Sequence, residues 1–524
     1  MAKTDFDVIV IGGGSGGLVS AVGCAGFGMK TLLVEKEHLG GDCLYYGCVP
    51  SKTLLKSAAV YHAASEAPRF GLPAMERPPV SMAEVTKRVQ TVIAGIAEHD
   101  SPEAFRKRGV HVEIGSSKFV GEREIELNGR RLSAKNFVLA TGSRPRSLPI
   151  PGLEETGYLT NIDIFSLTEL PARVVTIGAG PIGIEMSQAL ARLGAKVTVL
   201  DVAPQILPRE DADMAAVVRA RLDGEGLFFS LGVKVLRVEK NGSSKRVVIE
   251  EDGGEKAIDA DEIIMAAGRA GNTDDLDLDK AGVAVEKSFV PVDAGLRTSN
   301  KHILGVGDVN GRYMFTHVAA AEASVAVRRL AFHLPAKMSY SNVPWVTYTD
   351  PELASVGYNE GSAKAAGISY TVEKQGYDAN DRARAEGEAE GLVKVLLDKK
   401  GRVIGSQIAG YHAGDVLLPA AYAVTGKWKI KGLLDPIIAY PTLGELPKKV
   451  ASGYYGPRLF NNKVRKTLRF FFRHRGTGEP VEGDAGSATR SGHGTDTGAS
   501  TAGGAATATG TAATTSTATG RDET

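Results

Sequence analysis

The sequence predicts an α/β fold, and an internal repeat is the main evidence for it. Two stretches share one plan, in which an apolar strand leads through a glycine turn into a helix of small residues and then into a second strand. Each stretch later returns to a similar strand, NFVLATGSRP at 136–145 and DEIIMAAGRA at 261–270. At roughly 150 residues per domain, a chain of 524 residues suggests three or four domains.

Both glycine turns have the spacing Gly-x-Gly-x-x-Gly, and both second strands end in an acid. These residues are Gly12, Gly14, Gly17 and Glu35 in the first unit, and Gly178, Gly180, Gly183 and Asp201 in the second. The first glycine permits a tight turn, the second lets a pyrophosphate approach, and the third lets helix and strand pack closely. The pyrophosphate then lies on the helix N-terminus and the acid binds ribose hydroxyls. Two complete units therefore predict two bound dinucleotides.

Composition excludes several classes of protein. Lys and Arg total 62 against 61 for Asp and Glu, so the net charge of +1 gives no overall attraction to nucleic acid. The chain opens MAKTDFDVIVIGGG, which leaves no room for a signal peptide, and no apolar run reaches the roughly 18 residues of a membrane span. We expect a cytoplasmic protein. Three cysteines can form neither a disulfide scaffold nor a four-thiolate zinc site, and no metal site is predicted.

Two of the cysteines lie close together in GGDCLYYGCVPSKTL, residues 40–54. Cys43 and Cys48 are five residues apart, which in an ideal helix separates their Cα atoms by about 8 to 9 Å. A disulfide needs less than about 7 Å, so a bridge requires a distorted helix, which Gly47 and Pro50 favour. Such a bridge would be easy to reduce. Spacing alone leaves three interpretations open: a redox disulfide, inert buried thiols, or part of a metal site.

Together these motifs resemble the class I pyridine nucleotide-disulfide oxidoreductases, the flavoprotein family of dihydrolipoamide dehydrogenase, glutathione reductase and mercuric reductase. The resemblance covers residues 5 to about 455. It implies FAD on the first glycine turn, with Glu35 on the adenosine ribose, and places Asp308 of GVGD near the ribityl chain. It implies NAD(P)H on the second turn. The stretch VPWVTYTDPELASVG at 343–357 resembles the start of the family's dimerisation domain, which implies a homodimer.

The resemblance sets the predicted domains. Two are Rossmann-like dinucleotide-binding domains, and the third is an α+β dimerisation domain at the C-terminal end. We predict an FAD-binding domain at 1–150 and 271–341, an NAD(P)H-binding domain at 151–270, a dimerisation domain at 342–455, a basic amphipathic segment at 456–475 and a disordered low-complexity tail at 476–524. Each dinucleotide unit also contains a predicted β-meander with an Asn-Gly turn, at 110–129 in the first unit and at 233–255 in the second.

The family implies a role for each residue of the cysteine motif. Cys48, nearer the flavin, would be the charge-transfer thiolate, and Cys43 the interchange thiol that meets the acceptor. Lys52 would lie by the flavin's reactive edge and pair with Glu185. Further cofactor-binding residues implied by the family are Thr141, Gly142, Gly268 and Arg269. NADH is favoured over NADPH, because Asp201 would accept hydrogen bonds from a free 2′-hydroxyl and repel a 2′-phosphate.

One motif departs from the family. Disulfide-reducing members carry His-Pro-Thr-x-x-Glu near the C-terminus, where this chain has Tyr440-Pro-Thr and Glu445. Tyrosine, with a reference pKa of about 10, is a poor base at pH 7, so exchange with dihydrolipoamide or glutathione is put in doubt. Tyr440 is predicted to be either a hydrogen-bond donor to substrate or purely structural. Mercuric reductases carry a C-terminal cysteine pair, but the remaining cysteine here, Cys24, lies in the first FAD-domain helix as a small core residue.

The sequence therefore predicts an FAD-dependent NADH oxidoreductase with a Cys43–Cys48 centre that reduces a small-molecule acceptor, whether a metal ion such as Hg(II) or Cu(II), a quinone or an uncommon disulfide. The first alternative is the dihydrolipoamide dehydrogenase of a 2-oxo acid dehydrogenase complex. The second is a redox sensor or scaffold at a membrane surface. Residues 459–475 form a predicted basic amphipathic helix that either lies peripherally on the inner face of an anionic membrane or packs on the protein's own dimer.

Overall fold

The computed structural model describes residues 4–475. The predicted tail at 476–524 lies outside the described residues. Helices and strands are numbered separately in chain order. The first third of the chain contains β1 (Phe6–Ile11), α1 (Ser15–Gly26), β2 (Thr31–Glu35), α2 (Gly41–Tyr45), α3 (Cys48–Ser65), α4 (Met82–Ala97), α5 (Pro102–Lys107), β3 (His111–Ile114), β4 (Ser117–Gly121), β5 (Glu124–Leu127), β6 (Arg130–Leu139), β7 (Ser143–Pro145) and α6 (Leu153–Thr156).

The middle of the chain repeats the alternation of strands and helices. It contains β8 (Arg173–Ile177), α7 (Pro181–Leu193), β9 (Lys196–Asp201), α8 (Ala212–Gly224), β10 (Phe228–Leu231), β11 (Lys234–Asn241), β12 (Ser244–Glu251), β13 (Gly254–Ala260), β14 (Glu262–Met265), β15 (Arg269–Gly271), β16 (Ile303–Gly305) and α9 (Thr316–Phe332).

The last part is richer in short helices. It contains β17 (Pro344–Thr347), β18 (Glu352–Gly357), α10 (Glu360–Ala365), β19 (Thr371–Gly376), α11 (Asp381–Ala385), β20 (Leu392–Leu397), β21 (Val403–Gly410), α12 (Ala413–Val416), α13 (Leu418–Thr425), α14 (Lys431–Leu434), α15 (Glu445–Leu459) and α16 (Asn462–Phe472).

The first sheet has seven strands, in the order β3-β2-β1-β6-β5-β4 with β16 also paired to β6. The pairs of β1, β2, β3, β6 and β16 are parallel, whereas β4 and β5 extend the sheet as an antiparallel meander. The continuous apolar strands are buried because helices cover both faces of a parallel sheet. The sequence had grouped β3 with the meander. This was wrong, since β3 pairs in parallel with β2 and so completes the parallel layer.

The second sheet is parallel throughout, in the order β10-β9-β8-β14. The predicted meander of this unit forms a separate antiparallel sheet of β11, β12 and β13. The third large sheet is antiparallel, in the order β17-β18-β21-β20-β19, and belongs to the C-terminal part with helices α10 to α15. Two parallel layers followed by an antiparallel α+β part confirm the predicted fold class. Within residues 4–475, the structure contains no helix with the length and hydrophobicity of a membrane span.

Small residues let the first helix approach its neighbours. A Cβ atom on Gly23 of α1 would lie 2.7 Å from the Val327 side chain of α9, so these two helices pack with almost no side chain between them. Cys24 on the same helix is fully buried, and burial raises the pKa of its thiol to about 12. Cys24 is therefore an inert core residue, as the sequence predicted.

A buried lysine joins the second nucleotide unit to the C-terminal part. Lys394 on β20 is fully buried and lies 2.9 Å from Asp211 and 2.8 Å from Glu360, and it also bonds Asp213. These three carboxylates lie close enough together to hold a metal ion. The Lys394 ammonium group already bonds to all three. The cluster is therefore a structural charge network that ties β20, α8 and α10 together.

Replacing Lys394 with methionine is expected to destabilise the protein, because three neighbouring carboxylates lose the cation that compensates them. We expect a loss of about 3 kcal/mol, measured as a drop of the thermal melting midpoint. Lys374, which bonds the same Asp213 but is partly exposed, is the matched control, and Lys374→Met should lower the midpoint much less. Equal drops for the two variants would show that burial of Lys394 contributes nothing.

Candidate functional site

The first glycine turn leaves no room for side chains. Gly12 has a φ of +106°, and a Cβ atom there would lie 2.3 Å from the carbonyl oxygen of Ala140. A Cβ atom on Gly17 would lie 1.8 Å from the carbonyl oxygen of Gly12. The turn can therefore hold α1 directly against β1 only because both positions are glycine.

The second turn repeats this geometry. Gly178 has a φ of +115°, with its notional Cβ 2.5 Å from the carbonyl oxygen of Ala266, and a Cβ on Gly183 would lie 2.0 Å from the carbonyl oxygen of Gly178. The middle glycines differ, since Gly180 has nothing within 4 Å of its notional Cβ and Gly14 has only a Cα atom at 3.8 Å. These are the N-cap positions of α7 and α1. No side chain caps either helix, so the backbone N–H groups of the first turn can donate to a pyrophosphate.

The acids at the ends of β2 and β9 bind the glycine turns. Glu35 accepts a hydrogen bond of 2.5 Å from the backbone N–H of Gly13, and Asp201 accepts one of 2.6 Å from the N–H of Ala179. Gly13 and Ala179 occupy the same place in their turns, between the first and second glycines. A carboxylate has about four lone-pair positions, so each acid retains acceptor capacity for ribose hydroxyls. The repeat predicted from sequence therefore extends to side-chain geometry.

A cluster of charged and polar side chains surrounds Asp308 beside the first nucleotide unit. The hydroxyl of Ser143 donates a hydrogen bond of 2.6 Å to Asp308, and Arg269 Nε lies 3.9 Å from the same carboxylate. Burial raises the pKa of Asp308, against the lowering effects of Ser143 and Arg269. Arg269 also forms an ion pair of 3.1 Å with Asp42. Arg269 thus lies close to Asp308. Asp42, to which no motif of the sequence assigned a role, places this charge cluster one residue from Cys43.

The two returning strands end beside this cluster. Gly142 has a φ of +72° and Gly268 a φ of +107°, so both loops turn through left-handed conformations. The Thr141 hydroxyl donates to the carbonyl oxygen of Asn272 at 2.7 Å. All four residues line the same cavity. The structure thus brings Thr141, Gly142 and Gly268 to one wall, together with Asn272, which carried no motif in the sequence.

The helix that would carry both cysteines is broken between them. α2 ends at Tyr45 and α3 begins at Cys48, with Gly47 between them at φ −124° and ψ −114°. A Cβ atom on Gly47 would lie 2.9 Å from the carbonyl oxygen of Asp42, so glycine is required at the break. The predicted distortion of the helix is confirmed.

The first turn also fixes where the cysteine segment starts. Gly41, the first residue of α2, has a φ of +62°, and its notional Cβ would lie 2.7 Å from the Cα of Gly14. The backbone of α2 therefore lies directly against the middle glycine of the first nucleotide turn. This contact places Cys43, two residues later, beside the expected position of the cofactor.

The two thiols contact each other as free cysteines. The predicted disulfide is not formed in this structure, in which Cys43 is half-buried and Cys48 faces the cavity. A hydrogen bond from the Cys43 thiol lowers the pKa of Cys48 to about 6, with the Thr316 hydroxyl at 3.5 Å and the charge of Lys52 lowering it further. The same bond and burial raise the pKa of Cys43 well above its usual range. Cys48 is therefore the thiolate of the pair at neutral pH.

Lys52 and Glu185 form the ion pair that the sequence predicted. Lys52 lies on α3, and its Nζ lies 2.8 Å from Oε2 of Glu185 on α7. The other oxygen, Oε1, accepts the backbone N–H of Tyr348 at 2.9 Å, and Lys52 lies 4.3 Å from the centre of the Tyr348 ring. Tyr348 was not singled out in the sequence, although it lies within the motif assigned to the dimerisation domain.

Tyr440 and Glu445 lie away from the cysteines. Tyr440 is 70% exposed and its hydroxyl donates to Asp381 at 3.1 Å, an interaction that raises the pKa of the phenol. Glu445 begins α15, and its Oε2 atom is buried without a hydrogen-bond partner among the described residues. Neither residue lines the cavity. The sequence predicted both as catalytic residues together with the two cysteines. Within one chain they do not line the cavity of the cysteines, because they belong to the C-terminal α+β part.

A single cavity of about 1930 Å³ connects these features. Its walls include both glycine turns, the cysteine pair, the Lys52–Glu185 pair and Asp308. The space next to Gly14 and Gly180 is open, and a side chain at either position would fill part of it. This space fits two dinucleotides, each with its pyrophosphate against a helix N-terminus. Bound FAD and a nicotinamide nucleotide would therefore both lie in the cavity that the thiols line.

Comparisons with known proteins agree with this geometry. Residues 6–323 match the family described as pyridine nucleotide-disulphide oxidoreductase, and residues 343–451 match its dimerisation domain. The chain is 34% identical over 460 residues to a dihydrolipoyl dehydrogenase of Chlorobaculum tepidum, covering 85% of this chain and 96% of the relative. It is 32% identical over 443 residues to a mercuric reductase of Bacillus cereus, covering 84% and 70%.

Solved structures lead to the same family. A Cu(II) complex of the HOCl-induced flavoprotein disulfide reductase RclA from Escherichia coli superposes with a TM-score of 0.76 at 25% identity, over 86% of this chain and 99% of that one. The dimerisation domain implies a homodimer. The resemblance inferred from the motifs is confirmed: this chain belongs to the pyridine nucleotide-disulphide oxidoreductase family and is an FAD- and pyridine nucleotide-dependent oxidoreductase.

Proposed function

We propose that this protein passes electrons from NADH, through FAD, to the Cys43–Cys48 disulfide and on to a small-molecule acceptor other than dihydrolipoamide. The observation that carries the proposal is the thiol pair itself, which lines one cavity with both glycine turns and contains a thiolate with a pKa of about 6. FAD would supply the relay of two electrons between the nicotinamide and the disulfide. The protein is proposed to work in the cytoplasm.

The different surroundings of the two thiols fit this chemistry. Two electrons and one proton cleave the disulfide into a Cys43 thiol and a Cys48 thiolate, and the low pKa of Cys48 determines which sulfur keeps the negative charge. Lys52 stabilises that charge from the same cavity. Cys43, which faces the cavity beside Tyr45 and Tyr46, is the thiol proposed to meet the acceptor.

Tyr440 argues against exchange with dihydrolipoamide or glutathione. General base catalysis contributes about 10²- to 10⁴-fold when the pKa of the base lies near neutral. Donation to Asp381 raises the pKa of the Tyr440 phenol instead, so Tyr440 is an even weaker base than free tyrosine. Because Tyr440 and Glu445 lie outside their own chain's cavity, they can meet thiols only in another subunit. We propose that Tyr440 abstracts no proton there and either turns its hydroxyl from Asp381 to donate to an oxygen-bearing acceptor such as a quinone, or has a purely structural role.

The candidate acceptors are a metal ion, a quinone or an uncommon disulfide. Metal ions are favoured by two relatives, the mercuric reductase and the reductase whose structure was solved as a Cu(II) complex. Soft metal ions bind thiolates and need no proton from the protein, which suits a site without an imidazole at residue 440. Dihydrolipoamide dehydrogenase activity remains the second candidate, because that relative is 34% identical over nearly its full length.

The acceptor can be identified by NADH-dependent turnover of lipoamide, glutathione disulfide, Hg(II), Cu(II) and quinones. We expect slow turnover of lipoamide by the wild type and an increase of about 10²-fold in the Tyr440→His variant, which restores an imidazole base. Cys43→Ser should abolish reduction of the true acceptor. Rapid lipoamide turnover by the wild type would instead establish the dihydrolipoamide dehydrogenase alternative. A yellow protein without NADH-dependent turnover of any acceptor would favour the sensor or scaffold alternative.

The reactivity of the reduced thiols should depend on pH with a midpoint near the pKa of Cys48. The thiolate is present above a pH of about 6 and is protonated below it, so alkylation by iodoacetamide should slow as pH falls through 6. Lys52→Met removes a charge that lowers this pKa, and the midpoint should move to higher pH. Cys48→Ser, which lacks the thiolate, is the control. A midpoint above about 8 in the wild type, as for a free cysteine, would contradict the assignment.

Nucleotide preference should depend on the charge of Asp201. We expect a higher kcat/KM for NADH than for NADPH, because the carboxylate repels a 2′-phosphate. Asp201→Asn keeps an oxygen to accept the N–H of Ala179 but loses the charge, and it should raise the NADPH-to-NADH ratio about tenfold, equivalent to about 1.4 kcal/mol. Glu35→Gln, the same change in the other turn, should leave that ratio unaltered. A wild type that prefers NADPH would overturn the proposal.

A further inference from the structure

The helix α16 lies beyond the part of the chain that the family accounts for. The match to the dimerisation domain ends at residue 451, and α16 spans Asn462–Phe472. None of its residues is buried. The phenylalanines Phe470, Phe471 and Phe472 at its C-terminal end are 80%, 70% and 66% exposed. Three adjacent exposed phenylalanines are unusual on a protein surface and indicate a contact with another surface.

The helix has a distinct apolar face. At 100° per residue, Val464, Leu468, Phe471 and Phe472 fall within about 100° of one another, as the sequence predicted. Phe470 falls on the other side of the helix, between charged residues. Just before α16, Leu459 and Phe460 are also exposed, 54% and 72%. The end of α15 and the helix α16 therefore both expose apolar side chains.

The charges around this face are all positive. Between residues 446 and 475 the sequence contains no Asp or Glu, and seven lysines and arginines lie between residues 458 and 475. A second copy of the same helix would bring together two positively charged segments, neither of which contains an acidic residue between 446 and 475, and this disfavours pairing between copies of α16. The occupant of this surface must instead be both apolar and anionic.

We propose that α16 docks the protein on the surface of a membrane that contains anionic lipids. The apolar face would lie among the headgroups and upper acyl chains, and the flanking lysines and arginines would contact lipid phosphates. A helix of 11 residues is too short to span a bilayer, which needs about 20, so α16 would lie in the plane of the surface. The proposal does not depend on the redox chemistry, because α16 contributes no residue to the cavity.

Docking is tested by sedimentation of the full-length flavoprotein with phosphatidylglycerol vesicles, with phosphatidylcholine vesicles as the uncharged comparison. We expect binding to phosphatidylglycerol at low salt that weakens as salt screens the charges. Replacing Phe471 and Phe472 together with serine should weaken binding at least about tenfold, because binding strength follows the buried apolar area. NADH-dependent ferricyanide reduction should be unchanged in this variant, which shows that it is folded.

Two control variants make the test specific. Phe228→Ser replaces an equally exposed phenylalanine on β10, and Phe470→Ser replaces the one on the opposite side of α16. Both should bind vesicles within about threefold of the wild type. Failure of the wild type to sediment with anionic vesicles would overturn the proposal. So would a Phe471 and Phe472 double variant that binds like the wild type, or one that dissociates the homodimer while the wild type ignores the vesicles.

Discussion

The carboxylate of Glu185 joins the three parts of the molecule on which the site depends. One oxygen pairs with Lys52 on the cysteine helix, the other accepts the backbone N–H of Tyr348 at the start of the C-terminal part, and Glu185 itself lies on the helix of the second nucleotide turn. The side chain of Glu185 is only 6% exposed. A buried carboxylate is tolerated only when charge and hydrogen bonds compensate it, so the three segments must meet in this one arrangement.

The electrostatics of the thiol pair follow from this arrangement. Lys52 is held over the Tyr348 ring by its bond to Glu185, and in that position its charge lowers the pKa of Cys48. The negative charge of Glu185 raises the pKa of the same thiol. The larger effect is the hydrogen bond from Cys43, which the break at Gly47 makes geometrically available. The pKa of Cys48 is thus governed first by the hydrogen bond that the backbone geometry permits, then by burial and the Thr316 hydroxyl, and only after these by the Lys52–Glu185 pair.

The sequence predicted those features of the fold and the site that depend on residues close together in the chain. The glycine turns, the acids that follow them and the break between the cysteines depend on residues close in the chain, whose backbone needs can be read from residue type. Among distant partners, the sequence predicted only the Lys52–Glu185 pair, which the family resemblance implied, and it missed those that no family motif connects. The contact of Arg269 with Asp42 joins residues more than 200 positions apart, and the bond from Tyr348 to Glu185 spans 163 positions. Such contacts depend on side-chain directions that only the packed sheets determine. The same reason explains β3, whose alternating pattern fits a meander and a parallel edge strand equally well.

The predicted site residues of the C-terminal part show a further limit to what one sequence can predict. The motif around Tyr440 predicts that this residue belongs to the catalytic site. In its own chain, however, Tyr440 is exposed and does not line the cavity. A residue that works only across a homodimer carries no signal of this in one sequence or one chain. What one chain does determine is its chemistry: a phenol that donates to Asp381 has its pKa raised and cannot serve as a base at neutral pH. In the proposed function, the specificity for the electron acceptor follows from the absence of a base at residue 440, while the residues proposed for the electron-donating half of the reaction all lie within a single chain.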